Sequence, residues 1–497
     1  MSRAHVCLAG LVVAYAVLIL VVDDGTSLYH RSMYMLSRTT WYNANARPPM
    51  LLVCVVAGWS CTVHVCRRAG LALDLVLTPG PTLPAAQTRR AATTLLNVVL
   101  SAHLAHFLIE RSFGADQAEW YLLCSLALNL AFVALFLWPP ALGEFVDACA
   151  RSGAGLRARD KLDEDMPSEL QGAGVVQDNF GGATKRGPAS SCAGPAGGGV
   201  GRQDDDGSAR RGVLFPEQRS SLARTIAESL MAPFGPVTFW HVIVADFATS
   251  LAKALGDVQV VACVAWSSGF YSGGGEAPLW EQFRPVCKAS KMNAFCVALP
   301  FWVRFAQCLR CHHDSGEKRH LVNAMKYATA LPLVYLGFVE KARSLAASAA
   351  PILAGAARVG ARPSAVAAAA AAAWAADGER LRSWLILGAA VNSSCTLVWD
   401  VVVDWGLLRP KRRTLVLASR SRAFANAAYG GLMVFNCALR FVWAASVFGH
   451  HPVEQRGAGM FFFEVFEILR RIVWAVFRIE NEYITLGLPL ASEAAAA

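Results

Sequence analysis

Charged side chains are scarce in this sequence, since only 16% of its 497 residues are charged while 55% are hydrophobic. An ordinary soluble protein carries about 25% charged residues. The scarcity argues against a soluble globular protein and favours a chain that lies in a bilayer. The net charge of +10 could suggest nucleic acid, but the basic residues stand at the ends of apolar runs, as in loops that meet lipid headgroups. We therefore expect a lipid bilayer as partner and no nucleic acid.

A regular cysteine spacing is also missing. Most of the fourteen cysteines lie inside apolar runs, as Cys54, Cys124, Cys263 and Cys437 do. Buried free thiols behave as small hydrophobic groups, so we expect no disulfide framework. No clear small-residue cleavage site follows the first apolar run, CLAGLVVAYAVLILVV. This absence favours a retained first membrane helix over a signal peptide.

Long apolar runs are abundant, and each run of about 20 residues can cross a bilayer. The fold class that they predict is all-α, a multi-pass membrane bundle of about ten transmembrane helices. The run TFWHVIVADFATSLAKALGDVQVVACVAWSSGFY is long for one span, and we expect one tilted helix there. The other candidates are 6–22, 49–66, 93–110, 118–142, 289–309, 320–340, 383–405, 426–448 and 460–479.

Two biased segments interrupt the apolar runs. Residues 150–225 are rich in Gly, Asp, Ser and Arg and cannot bury a core, which predicts disorder. Residues 344–377 are rich in alanine, and we interpret them as a loop insertion. The predicted organisation is four N-terminal spans in 1–145, a disordered cytosolic loop in 146–228, six spans in 229–485 and a tail in 486–497.

The orientation depends on basic residues between the spans. The cluster RPKRR at 409–413 has no nearby acids and favours a topology with both termini in the cytosol. Arg31, Arg38 and Arg47 fall on the other side and weaken that signal.

The stretch CLRCHHD at 308–314 contains C-x-x-C-H, the attachment signature of a c-type haem. In the predicted topology it faces the cytosol, whereas covalent haem is attached on the opposite side of an energy-coupling membrane. Cys308, Cys311, His312 and His313 stand too close in sequence to close a tetrahedral zinc site easily. We interpret the stretch as a helix end near headgroups and expect no cofactor and no metal.

Ionisable residues recur inside the apolar runs, where each costs a few kcal/mol and usually faces a partner or a wet cavity. One interpretation is that these charges only pair with one another and lock the bundle. Several arginines and a lysine lie on different helices, and ion pairs that only lock the bundle would need fewer cationic residues. The planar guanidinium group of arginine suits an oxyanion such as phosphate. The pattern therefore predicts a buried anion path, with acids that weaken binding enough for release. The residues in question are Asp246, Lys326, Asp400, Asp404, Arg440, Glu464, Glu467, Arg470, Arg471 and Arg478.

Six motifs in a fixed order resemble the EXS domain, the membrane domain of eukaryotic phosphate exporters and their relatives. They are TFWHVIVADFATSL, WVRFAQCLR, HLVNAMKYAT, SSCTLVWDVVVDWGLL, ALRFVW and EILRRIVWAVFRIENEY. The resemblance covers roughly 230–485, about half of the chain. It implies a six-helix domain that carries inorganic phosphate.

The resemblance also implies which residues form the route. Trp443 would act as a gate and the arginines would hold the anion, without any enzymatic step. The residues that would line the path are Asp246, Thr249, Lys326, Tyr327, Asp404, Arg440, Trp443, Glu467, Arg470 and Arg471, supported by Ser250, Asn323, Asp400 and Asn436. A homodimer is common in the family.

Two departures from the family pattern matter. We expect no SPX domain for inositol pyrophosphate binding, because the first apolar run begins near residue 6. The first EXS helix reads ADFATSL where relatives often read ADQLNSL, so that Thr249 replaces an amide. Members without SPX resemble Golgi proteins that recycle phosphate, which favours the Golgi or another endomembrane over the plasma membrane.

Two further functions stay open. One is a Golgi sorting or retention protein for glycosylation enzymes, without transport. The other is a membrane transferase that uses Asp400 and Asp404 as metal-binding carboxylates, although a magnesium site would need more carboxylates nearby.

Overall fold

The computed structural model describes residues 47–77, 88–89, 92–101, 216–232, 234–269, 279–357, 365–411, 414–417, 423–424, 426–444 and 457–488. The predicted spans 6–22 and 118–142 lie outside these residues. So do residues 146–215 of the predicted disordered loop and the last nine residues of the predicted tail.

Helices make up almost all of the described chain, which confirms the all-α class. They are α1 Arg47–Arg68, α2 Leu73–Val76, α3 Ala92–Ser101, α4 Pro216–Leu230, α5 Phe239–Ser250, α6 Ala252–Gly269, α7 Leu279–Lys288, α8 Lys291–Ser315, α9 Lys318–Ala328, α10 Ala330–Ala357, α11 Ala365–Trp399, α12 Asn426–Arg440 and α13 Gly457–Thr485. The exception is a hairpin of β1 Leu408–Lys411 and antiparallel β2 Thr414–Leu417, and β1 contains Arg409 and Lys411 of the basic cluster.

Three helical stretches are long and apolar enough to cross a membrane: Arg47–Arg68, Lys291–Ser315 and Asp377–Asp404. The bent pair of α5 and α6 would make a fourth if it is one span. The total of ten helices, six of them in the EXS domain, stays a prediction.

The first EXS helix is broken, where we expected one tilted helix. Helices α5 and α6 meet at an angle of 60° beside Leu251. No proline or glycine stands at this break. The Thr249 hydroxyl donates to the carbonyl of Asp246 at 2.7 Å, a local bond of the kind that competes with the helical ladder and bends helices. The break turns the Thr249 and Ser250 hydroxyls toward α13.

Three other predictions were wrong in local structure. The alanine-rich segment is helical over 344–357 and 365–377, because alanine has the highest intrinsic helix propensity. The end of the predicted disordered loop is helical, since α4 begins at Pro216. Cys263 is not a free thiol, because it forms a disulfide with Cys287 that joins α6 to α7.

The hydrophobic core joins the N-terminal part of the chain to the EXS region. Helix α1 packs on α13 so closely that Gly58 leaves no room for a side chain beside Ile472. The hydroxyl of Thr62 donates to the Ile472 carbonyl at 3.5 Å. Trp59 of α1 also lies 5.2 Å, centroid to centroid, from Trp240 of α5. The last helix of the EXS region is therefore buried partly by residues that precede that region.

Candidate functional site

A cavity of about 490 Å³ lies among α5, α6, α8, α9, α10, α11, α12 and α13. Four cationic side chains line it, Lys253, Lys326, Arg440 and Arg471, and three acidic ones, Asp400, Glu464 and Glu467. Hydroxyl and amide groups from Thr249, Ser250, Asn392, Ser393 and Thr396 complete its polar lining. We call it the larger cavity.

Arg440 is held by Asp400, which belongs to a π-helical turn over Asp400–Asp404 that continues α11. Its Nη2 atom lies 2.5 Å from Asp400 Oδ2, and Asn436 Nδ2 donates to the same oxygen at 3.1 Å. Asp400 is buried at 1% exposure. The carboxylate thus fixes the guanidinium at the cavity edge, because a charge-assisted bond in a buried position is strong and directional.

Arg471 is held by hydroxyl groups instead of by a close carboxylate. Its Nε donates to Ser250 Oγ at 3.2 Å and its Nη2 donates to Thr249 Oγ1 at 3.3 Å. The nearest oxygen of Glu467 is 4.0 Å away. Because its closest contacts are neutral hydroxyls and Glu467 is at the limit of ion-pair range, Arg471 retains part of its positive field toward the cavity.

Lys326 is held by aromatic rings. Its Nζ lies 4.5 Å from the ring centroid of Tyr327 and 5.3 Å from that of Trp399. Within the described residues it makes no ion pair with a carboxylate. Ring faces orient an ammonium group without neutralising it, so Lys326 is a second cation that an anion in the larger cavity can meet.

A smaller cavity of about 110 Å³ follows toward the ends of α8 and α13, and Asp246, Asn323 and Asp404 line it. Asp246, at 1% exposure, is fixed by Arg304 Nε at 3.0 Å and by the Tyr327 hydroxyl at 2.6 Å. Tyr327 lines the larger cavity and Asp246 the smaller one. Their hydrogen bond therefore crosses the layer between the two cavities.

Asp404 lies apart from the larger cavity. It accepts hydrogen bonds from the indole groups of Trp399 at 3.2 Å and Trp474 at 3.1 Å, and Arg478 Nε is 3.8 Å away. The shared helix face expected for Asp400 and Asp404 therefore gives two separate environments. A metal held jointly by the two carboxylates does not fit these contacts, because each carboxylate already has its own set of donors.

Most of the predicted site residues line one of the two cavities, but Arg470 and Asn436 line neither. Arg470 Nη2 is 2.5 Å from Glu467 Oε1, and its Nη1 is 3.5 Å from Asp400. Arg470 therefore orients these two carboxylates without lining a cavity itself. Trp443 lines the larger cavity and its indole donates to Ser393 at 3.0 Å. Trp443 follows α12, which ends at Arg440. This helix is therefore shorter than the predicted span 426–448.

The model of the EXS family matches residues 210–484, more than half of the chain. The chain belongs to the EXS family. Its relatives include protein SYG1 of Saccharomyces cerevisiae, 28% identical over 54% of this chain and 26% of that protein. Phosphate transporter PHO1 homolog 10 of Arabidopsis thaliana is 25% identical over 55% of this chain and 30% of that protein.

A third EXS relative is protein ERD1 homolog 2 of Schizosaccharomyces pombe, which is 28% identical over 48% of this chain and 53% of that protein. The chain thus spans about a quarter to a half of the length of the curated relatives it matches. The first two matches cover only a minor part of those proteins.

Six charged residues of the EXS region line the two cavities but were missing from the predicted site: Lys253, Arg304, Arg319, Glu464, Arg478 and Glu482. Arg304 was the easiest to find, because it is an ionisable residue inside the apolar run FWVRFAQC. Lys253 follows the helix break directly, and that break directs the side chain to the cavity. Glu464 was recognised as an intramembrane charge, but its place on the cavity wall depends on the rotation of α13.

Proposed function

We propose that the protein transports inorganic phosphate across a membrane, through the larger and the smaller cavity in turn. The observation that carries the proposal is the larger cavity, where four cations meet three acids. Two of the cations, Lys326 and Arg471, are held by rings and hydroxyls and keep their charge available to an anion. The Arabidopsis relative is named as a phosphate transporter, which supports the choice of anion.

The acids near these cations suit transport better than tight binding. Glu467 accepts bonds from Arg470 at 2.5 Å and from Ser250 at 3.0 Å, and it lies 4.0 Å from Arg471. A carboxylate at this place competes with phosphate for Arg471. A path needs sites that are strong enough to admit an ion and weak enough to release it. We therefore assign phosphate binding to Arg440, Arg471 and Lys326, and release to the competition with Glu467 and Asp400.

In this proposal the bond between Tyr327 and Asp246 closes the path between the two cavities. Arg304 anchors Asp246 from the far side at 3.0 Å. Phosphate that reaches Lys326 and Tyr327 would need this hydrogen bond to open before it passes to the smaller cavity. Trp443 stays a gate candidate at the wall of the larger cavity.

The wider setting belongs to the same proposal. We propose a bundle of about ten transmembrane helices with six in the EXS domain, both termini in the cytosol, and the Golgi or another endomembrane as the site. No sodium site is marked by the sequence, so we favour a channel or uniport mechanism. The domain limits 1–145, 146–228, 229–485 and 486–497 and a homodimer remain part of this proposal.

The test is efflux of labelled phosphate from liposomes that contain the purified full chain. The double variant Arg440→Ala, Arg471→Ala should lose the flux while it stays monodisperse in detergent, because both guanidinium groups line the cavity. Arg382→Gln is the matched control, since this arginine is exposed on α11. Arg471→Lys should restore part of the flux, because it keeps the charge without the fork.

A sorting role, which the sequence leaves open, is the second candidate. A sorting protein would use an exposed surface and would tolerate loss of the buried charges. Normal sorting of glycosylation enzymes in cells that carry the double variant, together with no phosphate flux from well-folded wild-type protein, would favour it and overturn the transport proposal.

A further inference from the structure

A second buried charge cluster borders the larger cavity, and it consists of Arg47, Asp257 and Glu464. Arg47 opens α1 and is 4% exposed. Its Nη2 atom lies 2.7 Å from one oxygen of Asp257 and 2.6 Å from the other, while its Nη1 is 4.0 Å from Glu464 Oε1. Arg47 was expected in a loop, but the structure buries it in an ion pair. It lies outside residues 210–484, which the family model matches.

This cluster holds two acids and one arginine, and the arginine favours one acid. Asp257 has the close contacts. Glu464 is 3% exposed, and neither of its carboxylate oxygens has a hydrogen-bond partner among the described residues. An ionised carboxylate in such a place is costly, because burial removes its water without supplying donors. A proton relieves that cost.

Glu464 has access to such a proton, because it lines the larger cavity. Any charge on Glu464 also acts on an anion in that cavity. The charged groups around it are Arg47 from α1, Lys253 and Asp257 from α6, Lys288 from α7, Glu467 and Arg471 from its own helix, and Lys326, Asp400 and Arg440 on the cavity wall. Of these, only Arg47 is in ion-pair range of its carboxylate.

We propose that Glu464 exchanges a proton with the larger cavity and thereby makes phosphate binding depend on pH, with Arg47 as the positioning residue of this exchange. The carboxylate takes one proton from the cavity and becomes a neutral carboxylic acid, and no other bond changes. The neutral form removes one negative charge from the wall, so that phosphate binds more tightly at low pH. The inference rests on the proposed transport of phosphate.

The experiment measures phosphate efflux from liposomes with equal pH on both sides, for the full-length wild type and for Glu464→Gln. Glutamine imitates the protonated acid, and burial without hydrogen-bond donors favours that form, so the two proteins should behave alike at the acid end of the range, about pH 5.5. At about pH 8 the half-saturating phosphate concentration of the wild type should be about fivefold higher than that of Glu464→Gln. The protonation of phosphate itself changes over this range, but it affects both proteins equally, so their ratio isolates Glu464.

Two further variants complete the design. Glu340→Gln removes an exposed acid of α10 and should follow the wild type at every pH. Arg47→Gln combined with Asp257→Asn removes a buried pair together and avoids leaving one charge alone. It should move the midpoint of the pH dependence slightly to higher pH, because the loss of Arg47, which favours the ionised form of Glu464, outweighs the loss of Asp257, which opposes it.

The outcomes separate this inference from the transport proposal. A ratio of wild type to Glu464→Gln that is constant with pH would overturn the inference, because Glu464 would then keep one protonation state over the whole range. An unmoved midpoint in the Arg47 and Asp257 variant would overturn the part assigned to Arg47. Absence of wild-type flux at every pH would overturn transport, and this inference with it.

Discussion

The hydroxyl of Tyr327 donates a 2.6 Å hydrogen bond to Asp246, and these two residues line different cavities. Arg304 completes the contact from the other side, where its guanidinium carbon also lies 4.8 Å from the centre of the Tyr327 ring. The three side chains come from α5, α8 and α9. Two buried hydrogen bonds to Asp246 thus join three helices between the two cavities.

Tyr327→Phe should increase phosphate efflux, because phenylalanine keeps the ring and removes the bond that closes the path. A hydrogen bond to a charged group contributes roughly 1.5 kcal/mol, so we expect a rise of up to about tenfold. Efflux from liposomes measures it. Tyr335→Phe is the control, since Tyr335 is 63% exposed on α10. Equal efflux from Tyr327→Phe and wild type would contradict a closing role for this bond.

Asp400→Asn should destabilise the protein, because it leaves Arg440 and Arg470 without a carboxylate that they share. Removing one partner of a buried ion pair costs about 3 kcal/mol or more. A lower midpoint of thermal unfolding in detergent would show the effect. Asp377→Asn, at an exposed position of α11, should leave the midpoint unchanged. The pairwise variant Asp400→Asn, Arg440→Gln should recover part of the loss, and no recovery would argue that the contact of Asp400 with Arg440 adds little.

Gly58→Ala should destabilise the packing of α1 on α13. A Cβ atom at this position would lie 2.0 Å from Ile472 Cδ1, and such overpacking costs about 1 to 3 kcal/mol. Ile472→Ala should lessen the effect of the alanine at position 58, because it removes the colliding atoms. Gly337→Ala is the control, since nothing lies within 4 Å of that Cβ position. Additive effects of the two substitutions in thermal unfolding would contradict a direct contact.

Some features of the fold were predictable because a single residue decides them. Asp246, Lys326 and Arg440 stood out in the sequence, since an ionisable side chain inside an apolar run needs a partner or a cavity. The helical class followed from the length of the runs. The structure adds which partner each charge has, and that depends on helix rotation: adjacent Arg470 and Arg471 face different surroundings on one helix.

Other features were hidden because they depend on distant parts of the chain. The helix break at Leu251 carries no proline or glycine, and its polar neighbours form their contacts with α13. The disulfide of Cys263 joins two helices whose proximity no cysteine spacing indicates. Arg47 resembled an ordinary loop arginine, because its partner Asp257 is 210 residues away. Local patterns cannot report contacts of this kind.

The close approach of Gly58 to Ile472 shows that the region defined by the family match differs from the region that packs together. The match to the family model begins at residue 210. The packing of the last helix extends across that boundary, because α1, which precedes residue 210, covers part of the apolar surface of α13. An isolated chain that began at residue 210 would carry every motif of the family and would still leave Ile472 bare. The region that matches the family model is therefore smaller than the region that shares one hydrophobic core.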